Sequence, residues 1–471
     1  MKSFNNSKVR CRNLRNYSFF PSFAGLMLFF NSCTVSPEPY SILEFPGEDY
    51  VFNYTKSGNL MFGESDSLNP SSIMGSIGDL FACDDGKVFI YTNPTSQNRF
   101  LFEYIDDSAL YLNGKIYAIE IPDNDKMIPW FKNLKERDLS ALQFITLTSK
   151  MPESYLPFLT ELAEIKPDAG LFFDDDLGDM AGILKIFKPR YLIGPELSGD
   201  DYGIVSGLAS LEILMMSLED SVINDPLPSM PGLKQLLLTE LDEDIVLTNN
   251  FLINNKQIEQ VFFQKPGSID FSILKPLKNL KELVVIESDT IINFDLINNH
   301  EKLEVLSVIS GDLAEASAPD RVPSLRIYDP ARLRLPSLRW IAFSSNVSQE
   351  EFNSFIDAYP DLEIIHLVAN DTIKNLQALS KLSKLYGLTI TDNVTDIASI
   401  KTLRNLKYLS LPGEFLDDSL KITELHESLP GTRIAANDGL CLGSGWLLLL
   451  IPLVLTIRFF TVRKNRDSRT L

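Results

Sequence analysis

The chain has 471 residues, 45% of them hydrophobic, and a net charge of −20. So acidic a body repels phosphate backbones, so nucleic acid is not an expected partner. The four cysteines, Cys11, Cys33, Cys83 and Cys441, lie far apart and form no CxxC pair. That argues against both a disulfide framework and a structural zinc site.

The charge is unevenly spread. Residues 1–32 carry Lys2, Lys8, Arg10, Arg12 and Arg15 and no acid, and residues 458–471 carry +4, which leaves −29 for the residues between. Basic ends on an acidic body suggest topology or sorting signals. After the first basic region comes the apolar run Tyr17–Phe30, YSFFPSFAGLMLFF. It is shorter than the roughly 20 residues that span a bilayer, and it suits the core of an export signal. Asn31, Ser32 and Cys33 follow. An apolar run ending in a small residue and then cysteine resembles the lipobox of bacterial lipoproteins, which implies lipidation at Cys33. Phe30 and Asn31 depart from the commoner residues of that motif, so an ordinary cleaved signal or an uncleaved anchor remains the alternative. Residues 1–33 are read as this export segment.

Residues 40–125 have a different texture, with short apolar runs broken by turn residues. Asn113-Gly114 sits between two alternating runs in LYLNGKIYAIEI, a strong hairpin signal, and Asp85-Gly86 precedes KVFIYT. A small β-rich domain is expected here, ending between Pro122 and Pro129.

From Leu139 the chain repeats. The lines ASLEILMMS, PGLKQLLLTEL, LKNLKELVVIES, EKLEVLSVIS, LPSLRWIAFSS, PDLEIIHLVAN, LSKLYGLTITDN and LRNLKYLSLPG share one pattern, and QIEQVFFQ and PSLRIYD fill two gaps. Equivalent positions at 211, 233, 258, 280, 303, 325, 338, 362, 385 and 406 are spaced 22, 25, 22, 23, 22, 13, 24, 23 and 21 residues apart. The step of 13 implies a truncated turn or a misassigned line. Residues 139–147, LSALQFITL, read as an early repeat. Between 150 and 205 the pattern blurs, with strands expected at LFF and YLI.

This period resembles that of leucine-rich repeat proteins, and the stretch Leu382–Leu403, with Asn393, Ile397 and Ile400 between, resembles the internalin type found in bacteria. The asparagine that usually closes each strand is mostly missing, appearing plainly at Asn370 and Asn393. Cysteine-rich caps are absent, which fits a bacterial source. The resemblance covers 139–436 and implies an α/β solenoid, a horseshoe in which each repeat supplies one short strand and stacked neighbours bury its leucines. LPGTRIA near Pro430 reads as the closing turn.

A repeat horseshoe implies binding on its concave strand face. Residues flanking the inward leucines face outward. They include Phe144, Ile213, Met215, Gln235, Leu237, Gln260, Phe262, Val284, Ile286, Val305, Ile309, Trp340, Ala342, Ile364, His366, Val368, Thr389, Thr391, Tyr408 and Ser410. The expected ligand contacts are Ile213, Met215, Phe262, Val284, Trp340, Ile364, His366 and Tyr408. So apolar a face, with no charge except on His366, marks an interaction site if exposed. The alternative is a face covered by the protein's own loops or its N-terminal region.

The segment Leu440–Ile457 carries no charge and is followed by Arg458 and a basic cluster. At about 1.5 Å per residue it is roughly 27 Å long as a helix, close to a bilayer core. A transmembrane helix over 440–460 with a cytoplasmic tail at 461–471 is expected, with the acidic body outside. The layout also resembles the C-terminal sorting tails of bacterial surface proteins, which would make Cys441 a processing point. A lipidated Cys33 and a retained helix would be redundant.

No phosphate loop, nucleophile elbow or metal-ligand spacing is present, so no cofactor and no enzymatic activity are expected. His300 and His426 fall on connecting segments, and a surface or capping role is expected for each. The acidic run Asp174, Asp175, Asp176 and Asp179 lacks the glycine and glutamate of an EF-hand loop and reads as a solvated face. The expected function is recognition of an unknown protein ligand at a membrane of the cell envelope. A self-associating envelope component is the alternative. An enzyme would need its catalytic groups within 40–125, where there is no histidine.

Overall fold

The computed structural model describes residues 41–44, 51–54, 88–92, 99–106, 109–112, 114–147, 151–173, 180–197, 202–218, 226–238, 247, 249–264, 268–286, 288, 290–309, 333–343, 347–368, 372–391, 394–412, 415 and 418–436. Cys33, Cys441, the segments 1–33 and 440–471 and the acidic run 174–179 lie outside the described residues. Among the described residues no helix is long and apolar enough to cross a membrane.

The chain begins with six strands: β1 (Ser41–Glu44), β2 (Val51–Tyr54), β3 (Val88–Thr92), β4 (Arg99–Asp106), β5 (Ala109–Leu112) and β6 (Lys115–Ile121). They pair antiparallel in the order β2-β1-β3-β4-β5-β6. Gly114 takes φ +79 in the two-residue turn between β5 and β6, the left-handed conformation that glycine adopts without a Cβ clash. The expected hairpin is therefore present. A separate N-terminal domain is not shown, because β6 pairs in parallel with β7 (Phe144–Leu147) and the sheet continues across the boundary drawn at 125.

From β7 on, each repeat gives one short parallel strand. These are β8 (Gly170–Phe173), β9 (Tyr191–Leu197), β10 (Ile213–Leu218), β11 (Gln235–Leu238), β12 (Gln260–Gln264), β14 (Glu282–Ile286) and β16 (Val305–Ile309), then β17 (Trp340–Phe343), β18 (Ile364–Leu367), β19 (Gly387–Ile390), β20 (Tyr408–Leu411) and β21 (Arg433–Ala436). Two further strands, β13 (Ser268–Asp270) and β15 (Thr290–Ile292), form a small parallel sheet of their own. The returning segments are short 3₁₀ turns or helices, among them α1 (Leu156–Ile165), α2 (Gln349–Ala358) and α3 (Ser419–Ser428). Ser348 and Glu351 form a capping box at the start of α2, which satisfies the free amides of its first turn. The architecture is a leucine-rich-repeat-like solenoid with one long parallel sheet.

Inward residues set the register. Ile145, Leu171, Leu192, Leu214, Leu236, Val261, Leu283, Leu306, Ile341, Ile365, Leu388 and Leu409 are aligned strand to strand and fully buried in one continuous core. Burying each such side chain contributes about 1.5–3 kcal/mol, so a single repeat is unstable and the stack is not. The strands expected at LFF and YLI are β8 and β9, so the blurred stretch is regular. The 13-residue step has a plain resolution. Val305 on β16 pairs directly with Trp340 on β17, so the line around Leu325 contributes no strand between them. It was a misassigned line, and residues 310–332 lie outside the described residues.

Candidate interaction face

Two rows of side chains point away from the core. On successive strands the first row runs Ile213, Gln235, Gln260, Glu282, Val305, Trp340, Ile364, Gly387, Tyr408. The second runs Met215, Leu237, Phe262, Val284, Ser307, Ala342, His366, Thr389, Ser410. All eight expected contact residues fall on these rows: Ile213, Trp340, Ile364 and Tyr408 on the first, Met215, Phe262, Val284 and His366 on the second. The register also corrects the sequence reading. Glu282 belongs to the first row and is only 2% exposed, so the face is not free of carboxylates, and Ser307 belongs to the second.

The face is apolar but not open. Trp340 is 5% exposed, Tyr408 5%, and Ile364 and His366 0%. Neighbouring strands shield the flanks of an outward side chain but leave the tip of a Trp or Phe ring free. Something must therefore lie over these rows, yet no described helix or strand packs broadly across them. The exposed stripe expected from sequence is closed to solvent.

Several buried polar atoms on the face have no hydrogen-bond partner. They are Gln260 Nε2 and Oε1, both ring nitrogens of His366, and Thr389 Oγ1, which stands directly opposite His366. Burial drives the His366 imidazole down to about 3, so it is neutral at any physiological pH. Burial also pushes the Tyr408 phenol above its ordinary value, although Ser410 hydrogen-bonds to it. His300 is not the surface or cap residue expected: it is buried, its Nδ1 lies 3.0 Å from the Leu277 carbonyl, and burial lowers its pKa. His426 is exposed on α3.

Near β8 the first row holds a small aromatic stack. Phe144 and Tyr191 stack at 5.5 Å across Gly170. A Cβ at 170 would come within 2.9 Å of the Tyr191 ring, so only glycine lets the rings meet.

One feature of this edge escaped the sequence reading. The residues just before the first row are Arg190, Glu212, Lys234, Glu259, Lys281, Glu304, Arg339 and Glu363, alternating in sign along the sheet, and each backbone N–H donates to the carbonyl of the one before. Arg190 holds Glu212 at 3.0 Å, Lys281 holds Glu259 at 2.7 Å, and Arg339 bridges Glu304 at 3.6 Å and Glu363 at 2.5 Å. Hydrogen bonding to Glu259 raises the Lys281 pKa. These charges neutralise one another, so the ladder fixes strand order and offers little to a charged ligand. A period of about 22 residues in charge sign would have revealed it. Among the described residues no cluster of His, Cys, Asp or Glu could hold a metal ion.

No family model and no curated protein matches the chain. Among solved structures it is similar to TLR13 in a complex with ssRNA13, at 14% identity over 63% of this chain with a TM-score of 0.32. It spans 39% of that TLR13 chain. It is also similar to a leucine-rich-repeat protein of Leptospira interrogans, at 13% identity over 63% of this chain and 90% of that one, with a TM-score of 0.27.

Proposed function

We propose that the protein is a membrane-held, extracytoplasmic recognition scaffold that binds a protein ligand through the outward face of its parallel sheet. One observation carries this reading. A wide apolar surface holds buried polar atoms, on Gln260, His366 and Thr389, that find no partner in the chain. Each such atom costs about 1–3 kcal/mol until a partner arrives. A polypeptide ligand that offers amides and carbonyls among apolar side chains relieves that cost. Trp340 and Tyr408 would anchor it, since such aromatics dominate binding energies. Ile213, Met215, Phe262, Val284 and Ile364 would supply apolar contact, and His366 a hydrogen bond.

The basic–apolar–Cys33 pattern and the uncharged 440–457 segment support export and anchoring. Intact-mass analysis of the mature protein tests both, since cleavage or acylation at Cys33 and cleavage near Cys441 each change the mass. The ligand face is tested by Trp340→Ala and Tyr408→Ala. Each is expected to weaken partner binding by about 2 kcal/mol, near thirtyfold in Kd, and unchanged binding in both would refute the assignment.

A further inference from the structure

We infer that the chain's own segment 440–457 seats on the outward face over β17–β20, and that it leaves this seat when it enters a membrane. The second half of the inference rests on the anchoring role proposed above.

Three observations lead here. First, the face is closed to solvent although no described element packs broadly across it. Second, the cover leaves His366 and Thr389 without hydrogen bonds. An extended strand or a loop would present free amides and carbonyls to them; an apolar helix, whose backbone groups pair internally, would not. Third, the residues after β21 have the right composition and position. Asn437, Asp438 and Gly439 are turn-forming residues, placed to reverse the chain directly after Ala436. Leu440–Ile457 follows without a charge, matching the uncharged stretch Trp340, Ile364, Tyr408 of the first row.

The lengths agree. As a helix the segment is about 27 Å long at 1.5 Å per residue. Strands lie about 4.8 Å apart, so it reaches back from β21 across β20, β19, β18 and β17. Pro452 lacks an N–H, which frees the Leu448 carbonyl four residues earlier. That carbonyl falls about 12 Å along the helix. Thr389 and His366 stand two and three strands from β21, at about 10 and 14 Å. The one free acceptor of the segment thus comes level with the two donors that lack a partner. The segment cannot lie on the sheet and cross a bilayer together, so insertion uncovers the face.

The test uses the full chain with the photo-crosslinker p-benzoylphenylalanine in place of Trp446, irradiated with and without phosphatidylcholine vesicles. Without vesicles, cross-links to peptides carrying Thr389 or Tyr408 are expected; with vesicles, these are lost and lipid is labelled. Lipid labelling with no cross-link to these strands in either condition overturns the docking and leaves the anchor intact. Cross-links to the face that persist with vesicles keep the docking and overturn the membrane anchor. Cross-links confined to α2 or α3 on the returning side also overturn the docking. The variant Leu449→Lys with Leu453→Lys should abolish the cross-link and raise the fluorescence of added 8-anilinonaphthalene-1-sulfonate. Unchanged fluorescence overturns the claim that the segment covers an apolar face.

Discussion

Asn255 is the joint between two repeats, and its removal measures how strongly they are fastened. The side chain is 0% exposed. Its Oδ1 accepts from the Met230 amide at 2.9 Å, and its Nδ2 donates to the Pro228 carbonyl at 2.9 Å and the Leu227 carbonyl at 3.3 Å. Asn255→Ala strands the buried Met230 amide at a cost of about 1–3 kcal/mol, and the lost bonds to the carbonyls add about 1 kcal/mol. The total, about 3 kcal/mol, is large for a single substitution. Urea unfolding followed by far-UV circular dichroism should show a lowered midpoint with little change in slope. Amide exchange at Met230 should accelerate on the order of a hundredfold, the factor equivalent to about 3 kcal/mol. The control is the exposed Asn254, whose Nδ2 donates to the same Leu227 carbonyl at 3.2 Å. Asn254→Ala should cost no more than about 1 kcal/mol, because water replaces the bond. If Asn255→Ala stayed within about 0.5 kcal/mol of the parent with Met230 still protected, the reasoning would be wrong.

Two further predictions follow from the outward face. The His366 pKa is depressed to about 3 in the folded chain, against about 6.5 when unfolded. As pH falls the unfolded state takes the proton first, so the stability tied to neutral His366 is present above about pH 6.5 and is lost toward pH 3. Comparison with His366→Gln isolates this residue: from pH 6 to 4 the parent should lose about 1.4 kcal/mol per pH unit more than the variant, and parallel curves would refute it. Gly170→Val places a branched side chain between the Phe144 and Tyr191 rings. It should cost about 1–3 kcal/mol by overpacking and change the near-UV circular dichroism of the stack; an unaltered spectrum and midpoint would show that the rings do not meet there.

The leucine spacing alone gave the class of fold, because a strand in a stacked solenoid must turn its apolar side chains inward once per repeat. The same alternation put Ile213, Trp340 and Tyr408 on the opposite face, since side chains along a strand point to alternate sides. The reading failed where alternation was counted from the wrong first residue, as at Glu282. It also failed where an apolar line resembled a repeat without pairing, as at Leu325. The charge ladder from Arg190 to Glu363 was equally legible but was not sought.

Only the tertiary structure decided the rest. That β6 joins β7, and that β16 pairs with β17 across a long insertion, depends on hydrogen bonds between distant residues, and no local pattern encodes them. Asn255 reads as an ordinary loop residue until Leu227, Pro228 and Met230 of the preceding repeat close around it. The state of the outward face is the sharpest case. Period-two alternation says which side chains leave the core, but whether they meet water depends on what else in the chain lies over them, and burial is a property of the whole molecule.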